Sequence, residues 1–274
     1  MDLELNGKVM LVTGGEGGIG EAIVKGIAAE NGIPIIVGRA QKNGEYLQKC
    51  LRNKGHDCLF IQTELTELAQ CQRAVDITLE HYGKIDVLIN NAGFNDKVGL
   101  EEGNVTDFVH SLESNLVHYF NMAKLALPAL KQSKGNIINI SSKTALTGQG
   151  GTSGYVASKS AQLGLTREWA VELLKYDIRV NAVIPAEVLT PHYEKWISSF
   201  NNSQERMQEI LQNIPFQNRM TKRSEIADMV LFLSSNRSSH VTGQFVHVDG
   251  GYVHLDRSIH SLNAPPKSEV VPTK

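Results

Sequence analysis

The sequence predicts an α/β fold: one parallel sheet of about seven strands, doubly wound, with helices on both faces. Three observations carry this. Short β-branched runs alternate with longer helical patterns along most of the 274 residues. The runs are apolar throughout rather than alternating, as strands buried on both faces are. A glycine-rich loop, Thr13-Gly14-Gly15-Glu16-Gly17-Gly18-Ile19-Gly20, joins the first run to the first helical pattern. Together they define a single-domain, Rossmann-type sheet with right-handed crossovers. A TIM barrel would need eight such units, and the glycine loop and the irregular stretch from Pro185 to Arg219 argue against it.

The elements follow in order. Val9 to Thr13 (VMLVT) has the length and composition of a buried strand. Ile19 to Asn31 places Ile19, Ala22, Ile23, Gly26 and Ile27 at helical spacing. Ile33 to Gly38 is the second strand, Gly44 to Lys54 a helix, and Cys58 to Gln62 the third strand. Leu65 to His81 is helical and Ile85 to Asn90 is strand four. Asp107 to Gln132 is one long helical pattern, with Pro128 marking a kink or break near its end. Asn136 to Ser141 is strand five, Gly154 to Lys175 a helix, Ile178 to Val183 strand six, and Gln244 to Val248 strand seven. Between the last two lie helical fragments, His192 to Phe200 and Ser203 to Gln212, expected to form a mobile flap over the site at 185–219. Residues 1–258 are expected to be one nucleotide-binding and catalytic domain. Residues 259–274, rich in proline and polar side chains, are expected to be a flexible tail.

Composition narrows the function. The net charge of −2 excludes the basic footprint of a nucleic-acid binder. No apolar run approaches the roughly 20 residues that span a bilayer, and MDLELNGKVM lacks the basic start and apolar core of a signal peptide. The three cysteines, Cys50, Cys58 and Cys71, form no metal-binding spacing, so a cytoplasmic protein with free thiols and no metal is expected.

The glycine loop carries the first chemistry. Glycine lets the backbone turn tightly against a pyrophosphate, and the following helix offers N–H groups and its positive dipole end. A glycine-rich turn can be merely flexible, but strand, loop and helix together at the first βα unit make a dinucleotide site. Tyr155 and Lys159 are four apart on a helix and share a face. An ammonium beside a phenol is expected to lower the phenol's pKa and make it a general acid/base. Such a pair also arises by chance. Ser142, thirteen residues earlier and just past strand five, sits where a strand end meets the ligand crevice. Asn115 lies inside a helical pattern, where asparagine is a poor fit unless it faces solvent or does something specific.

The spacing TGxxxGxG (Gly14, Gly18, Gly20), the segment Asn90-Asn91-Ala92-Gly93, then Asn115, Ser142, Tyr155, Lys159 and Asn181-Ala182-Val183-Ile184-Pro185 resemble the short-chain dehydrogenase/reductase family. The match runs from about residue 5 to 255. The resemblance implies NAD(P)-dependent hydride transfer at a carbinol. It implies that Tyr155 moves the proton, with Ser142 rather than Ser141 holding the substrate oxygen. Lys159 would hold the nicotinamide ribose, and Asn115 a water that relays protons from Lys159. It implies cofactor contacts at Gly14, Gly18, Ile19, Gly20, Arg39, Glu64, Leu65, Asn91, Ala92, Gly93, Tyr155, Lys159, Pro185, Val188 and Thr190, with the Val188 backbone and Thr190 hydroxyl on the carboxamide. A homotetramer is implied as well.

Strand two ends Val37-Gly38-Arg39-Ala40, without the acidic residue that commonly holds the adenosine ribose of NAD. Arg39 could pair with a 2′-phosphate, which favours NADP with NAD tolerated; Glu16 in the loop would repel a phosphate if it pointed there. The residues expected to face substrate are polar: Asn95, Asp96, Lys143, Gln149, Thr152, Glu187 and His192, with Tyr193 and Trp196 as an aromatic wall. Such a set suits a sugar better than a steroid or acyl chain. Within the family, SSKTALTGQGGTSGYVASK, AVIPAEVLTPHYEKWI and DGGYVHLDR are similar to the bacterial L-fucose dehydrogenases. That resemblance implies oxidation of an aldose at its anomeric C1 hydroxyl to the lactone. The alternatives are a 3-oxoacyl, hydroxysteroid or ketone reductase, and a non-catalytic NADP-binding regulator. The retained Tyr155 and Lys159 argue against the regulator.

Overall fold

The structure is a computed structural model and describes residues 2–255; the tail expected at 259–274 lies outside the described residues. Seven strands form one sheet in the order β3-β2-β1-β4-β5-β6-β7, every neighbouring pair parallel. They are β1 (Val9–Thr13), β2 (Ile33–Gly38), β3 (Leu59–Gln62), β4 (Val87–Asn90), β5 (Asn136–Ile140), β6 (Arg179–Pro185) and β7 (Phe245–Val248). The chain steps outward from β1 to β3, then returns to lay β4 beside β1. This reversal opens a crevice at the carboxyl ends of β1 and β4, where folds of this kind bind ligands.

Nine α-helices lie among the described residues: α1 (Gly18–Ala29), α2 (Gln41–Arg52), α3 (Leu68–Tyr82), α4 (Val105–Leu112), α5 (His118–Ser133), α6 (Ser153–Glu172), α7 (Pro191–Ser198), α8 (Ser203–Gln212) and α9 (Arg223–Ser234). On one face of the sheet, Leu11, Ile35, Leu88 and Ile137 pack against Val75 of α3, Tyr119 and Met122 of α5, and Trp169 of α6. On the other, Met10, Val12, Ile36 and Ile89 pack against Ile23 and Ile27 of α1, Leu47 of α2, and Val230 and Leu231 of α9. Burial on both faces is why the strands read as unbroken apolar runs.

Three features depart from the sequence reading. Residues 220–243 carry no predicted element, yet α9 buries Ile226, Ala227, Val230, Leu231 and Leu233 there. The single helix expected over Asp107 to Gln132 is two, joined by a π turn at Glu113–Val117. Its start moves earlier because the Asn104 side chain caps α4, accepting from the Asp107 N–H at 2.9 Å. Pro128 neither breaks nor ends α5, which runs on to Ser133. It sits on the exposed side with Lys124, so water can serve the carbonyl that loses its donor.

Candidate active site

The glycine loop is lashed to the end of β4. The Thr13 hydroxyl accepts from the backbone N–H groups of Asn91 (2.9 Å) and Ala92 (3.1 Å). The Asn91 amide donates to the carbonyls of Thr13 (2.9 Å) and Gly14 (3.2 Å). A Cβ at Gly20 would collide with the Gly14 carbonyl and stand 2.7 Å from the Asn91 amide nitrogen, so only glycine lets α1 start this close to the loop. The first turn of α1 has no side-chain cap, which leaves its N–H groups to an anion. Ile19 packs back onto the core. Thr190 leans over the loop from the far side, its methyl 3.8 Å from where a Cβ on Gly18 would be.

Beyond Pro185 the chain pairs with Thr221. The Leu189 N–H donates to the Thr221 carbonyl (3.2 Å), and the Thr221 N–H to the Glu187 carbonyl (2.9 Å). The N–H and C=O of Val188 itself therefore face away from Thr221. The Thr190 oxygen caps α7 by accepting from the Tyr193 N–H at 3.2 Å, which leaves its O–H and one lone pair for a ligand.

The catalytic candidates converge on α6. Its position is fixed by Ser141, whose hydroxyl donates to the Lys159 carbonyl at 2.8 Å. The Gln162 amide donates to the Asn115 carbonyl (2.7 Å), and the Asn139 amide to the Thr166 hydroxyl (3.0 Å). Ser141 is thus a brace, and Ser142 is the serine that hydrogen-bonds Tyr155. The Ser142 hydroxyl also accepts from the N–H (3.2 Å) and hydroxyl (3.1 Å) of Thr144. The Lys159 amine donates to the Ile140 carbonyl (2.8 Å) and lies 5.6 Å from the Tyr155 ring centre. Asn115 is fully buried in the π turn, which excludes the solvent-facing reading. Its Oδ1 accepts from the Phe94 N–H (2.8 Å) and its Nδ2 donates to the Ser111 carbonyl (3.1 Å). Gly93 lets it in, since a Cβ there would stand 2.9 Å from that Oδ1 and 3.5 Å from the Lys159 amine.

The electrostatics correct one expectation. The Tyr155 phenol lies above its ordinary pKa, not below it. Burial pushes the phenol up to about 12, with the Asp96 and Glu187 carboxylates adding to the rise and the Ser142 hydrogen bond offsetting part of it. Burial also drops Lys159 to about 7, so the amine is only partly charged near neutral pH, and it donates to the Ile140 carbonyl and the Tyr119 hydroxyl. The i, i+4 spacing brings the two side chains together but cannot report this desolvation.

Around Tyr155 the structure gathers a polar cluster. Lys143 and Glu187 form a buried ion pair beside Ser142, and the Lys143 amine lies 3.8 Å over the Tyr252 ring. Tyr193 hydrogen-bonds Glu187, and burial together with that carboxylate pushes its phenol well up. Tyr193, Trp196 and Phe200 stack edge to face at 5.2 Å each. The Asn95 side chain accepts from the Thr152 hydroxyl at 2.5 Å. One Asp96 oxygen lies 3.5 Å from the Asn115 amide, and the other is buried without a partner. Gln149 and His192 stand exposed and join no hydrogen bond or ion pair of this cluster, because the loop and the first turn of α7 turn them to solvent. Tyr252 carries no predicted role; its place within DGGYVHLDR was the one available signal. Arg39 pairs with Glu64 at 3.7 Å and Leu65 is buried in the core. Among the described residues no cluster of metal-ligating side chains occurs, and no helix is long and apolar enough to cross a membrane.

A glycine loop at a switch point, with a serine, a tyrosine and a lysine converging beside it, defines a nucleotide-dependent oxidoreductase. The chain belongs to the short-chain dehydrogenase/reductase family: the short chain dehydrogenase family model matches residues 8–200. It is 36% identical over 246 residues to the 3-oxoacyl-[acyl-carrier-protein] reductase FabG of Thermotoga maritima, covering 89% of this chain and 97% of that protein. It is 34% identical over 231 residues to the L-fucose dehydrogenase of Mus musculus, covering 84% of this chain and 83% of that one. The crystal structure of Cj0485 dehydrogenase superposes with a TM-score of 0.89 at 44% identity, covering 94% of this chain and 98% of that one. The protein is an NAD(P)-dependent oxidoreductase acting on CH–OH groups.

Proposed function

We propose that the enzyme oxidises a sugar hydroxyl, specifically the anomeric C1 hydroxyl of L-fucose or a related aldose. The observation that carries this is the buried Lys143–Glu187 pair set directly beside Ser142 and Tyr155. A charged donor and acceptor held in place, with Tyr193 and Trp196 as an aromatic wall, match a ring of hydroxyls with one apolar face. They would desolvate at a loss against an acyl chain or steroid. The L-fucose dehydrogenase relatives support the same reading.

The cleft residues fit a nicotinamide dinucleotide, since Gly20 has no room for a Cβ and the first turn of α1 lacks a side-chain cap. Gly14, Gly18, Ile19 and Gly20 would hold the pyrophosphate, and Arg39, Glu64 and Leu65 would border the adenosine. Asn91, Ala92, Gly93, Lys159, Pro185, Val188 and Thr190 would hold the nicotinamide end. Bound there, the dinucleotide supplies the hydride acceptor, and an anomeric carbinol that gives up hydride and proton becomes a lactone. The Ser142 hydroxyl holds the substrate oxygen. The Tyr155 phenolate takes the hydroxyl proton at its Oη. Lys159 and the buried Asn115 keep that end of the pocket in register.

The exposed apolar side chains of Phe120 on α5 and Val171 on α6 support the homotetramer, and the unpaired Cys50, Cys58 and Cys71 suit a cytoplasmic enzyme. The test is a side-by-side assay of L-fucose, D-arabinose, D-glucose and a hydroxysteroid, read as nicotinamide absorbance. Turnover of L-fucose with none of the steroid is expected. No turnover of any aldose would remove the sugar reading.

A further inference from the structure

Folds of this class bind the adenosine ribose at the carboxyl end of β2, where an acidic side chain accepts from the ribose hydroxyls. Here β2 and its following turn supply none. The structure brings a carboxylate to that place from the glycine loop. Glu16 reaches across to β2, and its Oε1 accepts from the Ala40 backbone N–H at 3.3 Å. The carboxylate lies flat against Gly38, where any Cβ would overlap it. Its Oε2 is buried and has no hydrogen-bond partner. A carboxylate oxygen left without a donor is costly, and a donor arriving with a ligand would relieve that cost once the group turns this oxygen outward. Arg39 has other partners: its guanidinium pairs with Glu64 at 3.7 Å and lies 5.9 Å from the Phe94 ring centre.

We infer that Glu16 accepts from the 2′- and 3′-hydroxyls of the adenosine ribose and makes the enzyme select NAD over NADP. This rests on the dinucleotide reading of the cleft. A 2′-phosphate would replace a donor by an anion of nearly two charges beside a carboxylate that already lacks a partner. Gly38 belongs to the same device, because it is the space the carboxylate fills. The Arg39 side chain, which faces Glu64 at 3.7 Å, does not override it.

The test is calorimetric titration of the protein with NAD+ and NADP+, and with ADP-ribose and its 2′-phosphate, which isolate the ribose end. The parent is expected to bind the unphosphorylated member of each pair at least tenfold more tightly. Glu16→Gln should shrink that ratio at least tenfold, mainly by tighter binding of the phosphorylated member. Gly38→Ala, which expels the carboxylate without removing it, should act in the same direction, and Arg39→Ala should leave the preference in place. A parent that prefers NADP+, or a ratio indifferent to both Glu16→Gln and Gly38→Ala, would overturn the inference while leaving the dinucleotide cleft intact. Binding of none of the four ligands would overturn the cleft reading itself.

Discussion

Replacing Glu187 by alanine strands the Lys143 ammonium in a pocket that hides most of it. The two side chains are only 11% and 16% exposed, so water cannot readily take over the lost partner. Removing one member of such a pair costs about 3–5 kcal/mol. For a domain of this size each kcal/mol is worth about 2–4 °C in Tm, so the variant should melt roughly 6–20 °C lower. Lys143→Met with Glu187→Leu removes both charges and keeps the volume, and should recover most of that loss. About 1 kcal/mol should remain missing, because Tyr193 loses its acceptor. Thermal melts of the parent, Lys143→Met, Glu187→Leu and the double measure the coupling. Aldose turnover should stay lost in the double while dinucleotide affinity holds, which separates the pocket's role from its stability. A Glu187→Ala protein that melts with the parent, or a double variant no more stable than that single, would refute the reasoning.

Two further outcomes follow from the same geometry. Gly20→Ala drives a Cβ into the Gly14 carbonyl and toward the Asn91 amide; it should cost about 1–3 kcal/mol in a denaturant titration. The same variant should weaken dinucleotide binding at least about tenfold by calorimetry. Oxidation needs Tyr155 as phenolate, so its rate should climb with pH toward the raised pKa of about 12. Asp96 is one cause of that rise, so Asp96→Asn should move the climbing limb of kcat to lower pH. The opposite shift in the pH profile would contradict the stated cause.

Much of the fold was legible because its signals are local. VMLVT and NIINI announce buried strands by composition, and the glycine loop announces its turn by residues that tolerate it. Tyr155 and Lys159 share a face because one helical turn separates them, while the strand end left Ser141 and Ser142 open and the family resemblance chose Ser142. What stayed hidden depends on packing between distant segments. The Lys143–Glu187 pair joins residues 44 apart in sequence. The carboxylate of Glu16 reaches Ala40, 24 residues on, and nothing in its own loop announces where it points. Helix α9 has the same 12-residue length as α1, and its apolar stripe gains meaning only against α1. The raised Tyr155 pKa is a property of burial, which the i, i+4 pairing of Tyr155 with Lys159 does not encode.

The most direct test of the central claim compares Tyr155→Phe with the parent in L-fucose oxidation at saturating dinucleotide. Losing the hydroxyl removes the proton acceptor and leaves the ring and the cleft in place. The rate should fall by about 10²–10⁴ while the dinucleotide Kd stays within about twofold of the parent. A phenylalanine variant that oxidises L-fucose at the parent's rate would contradict the account.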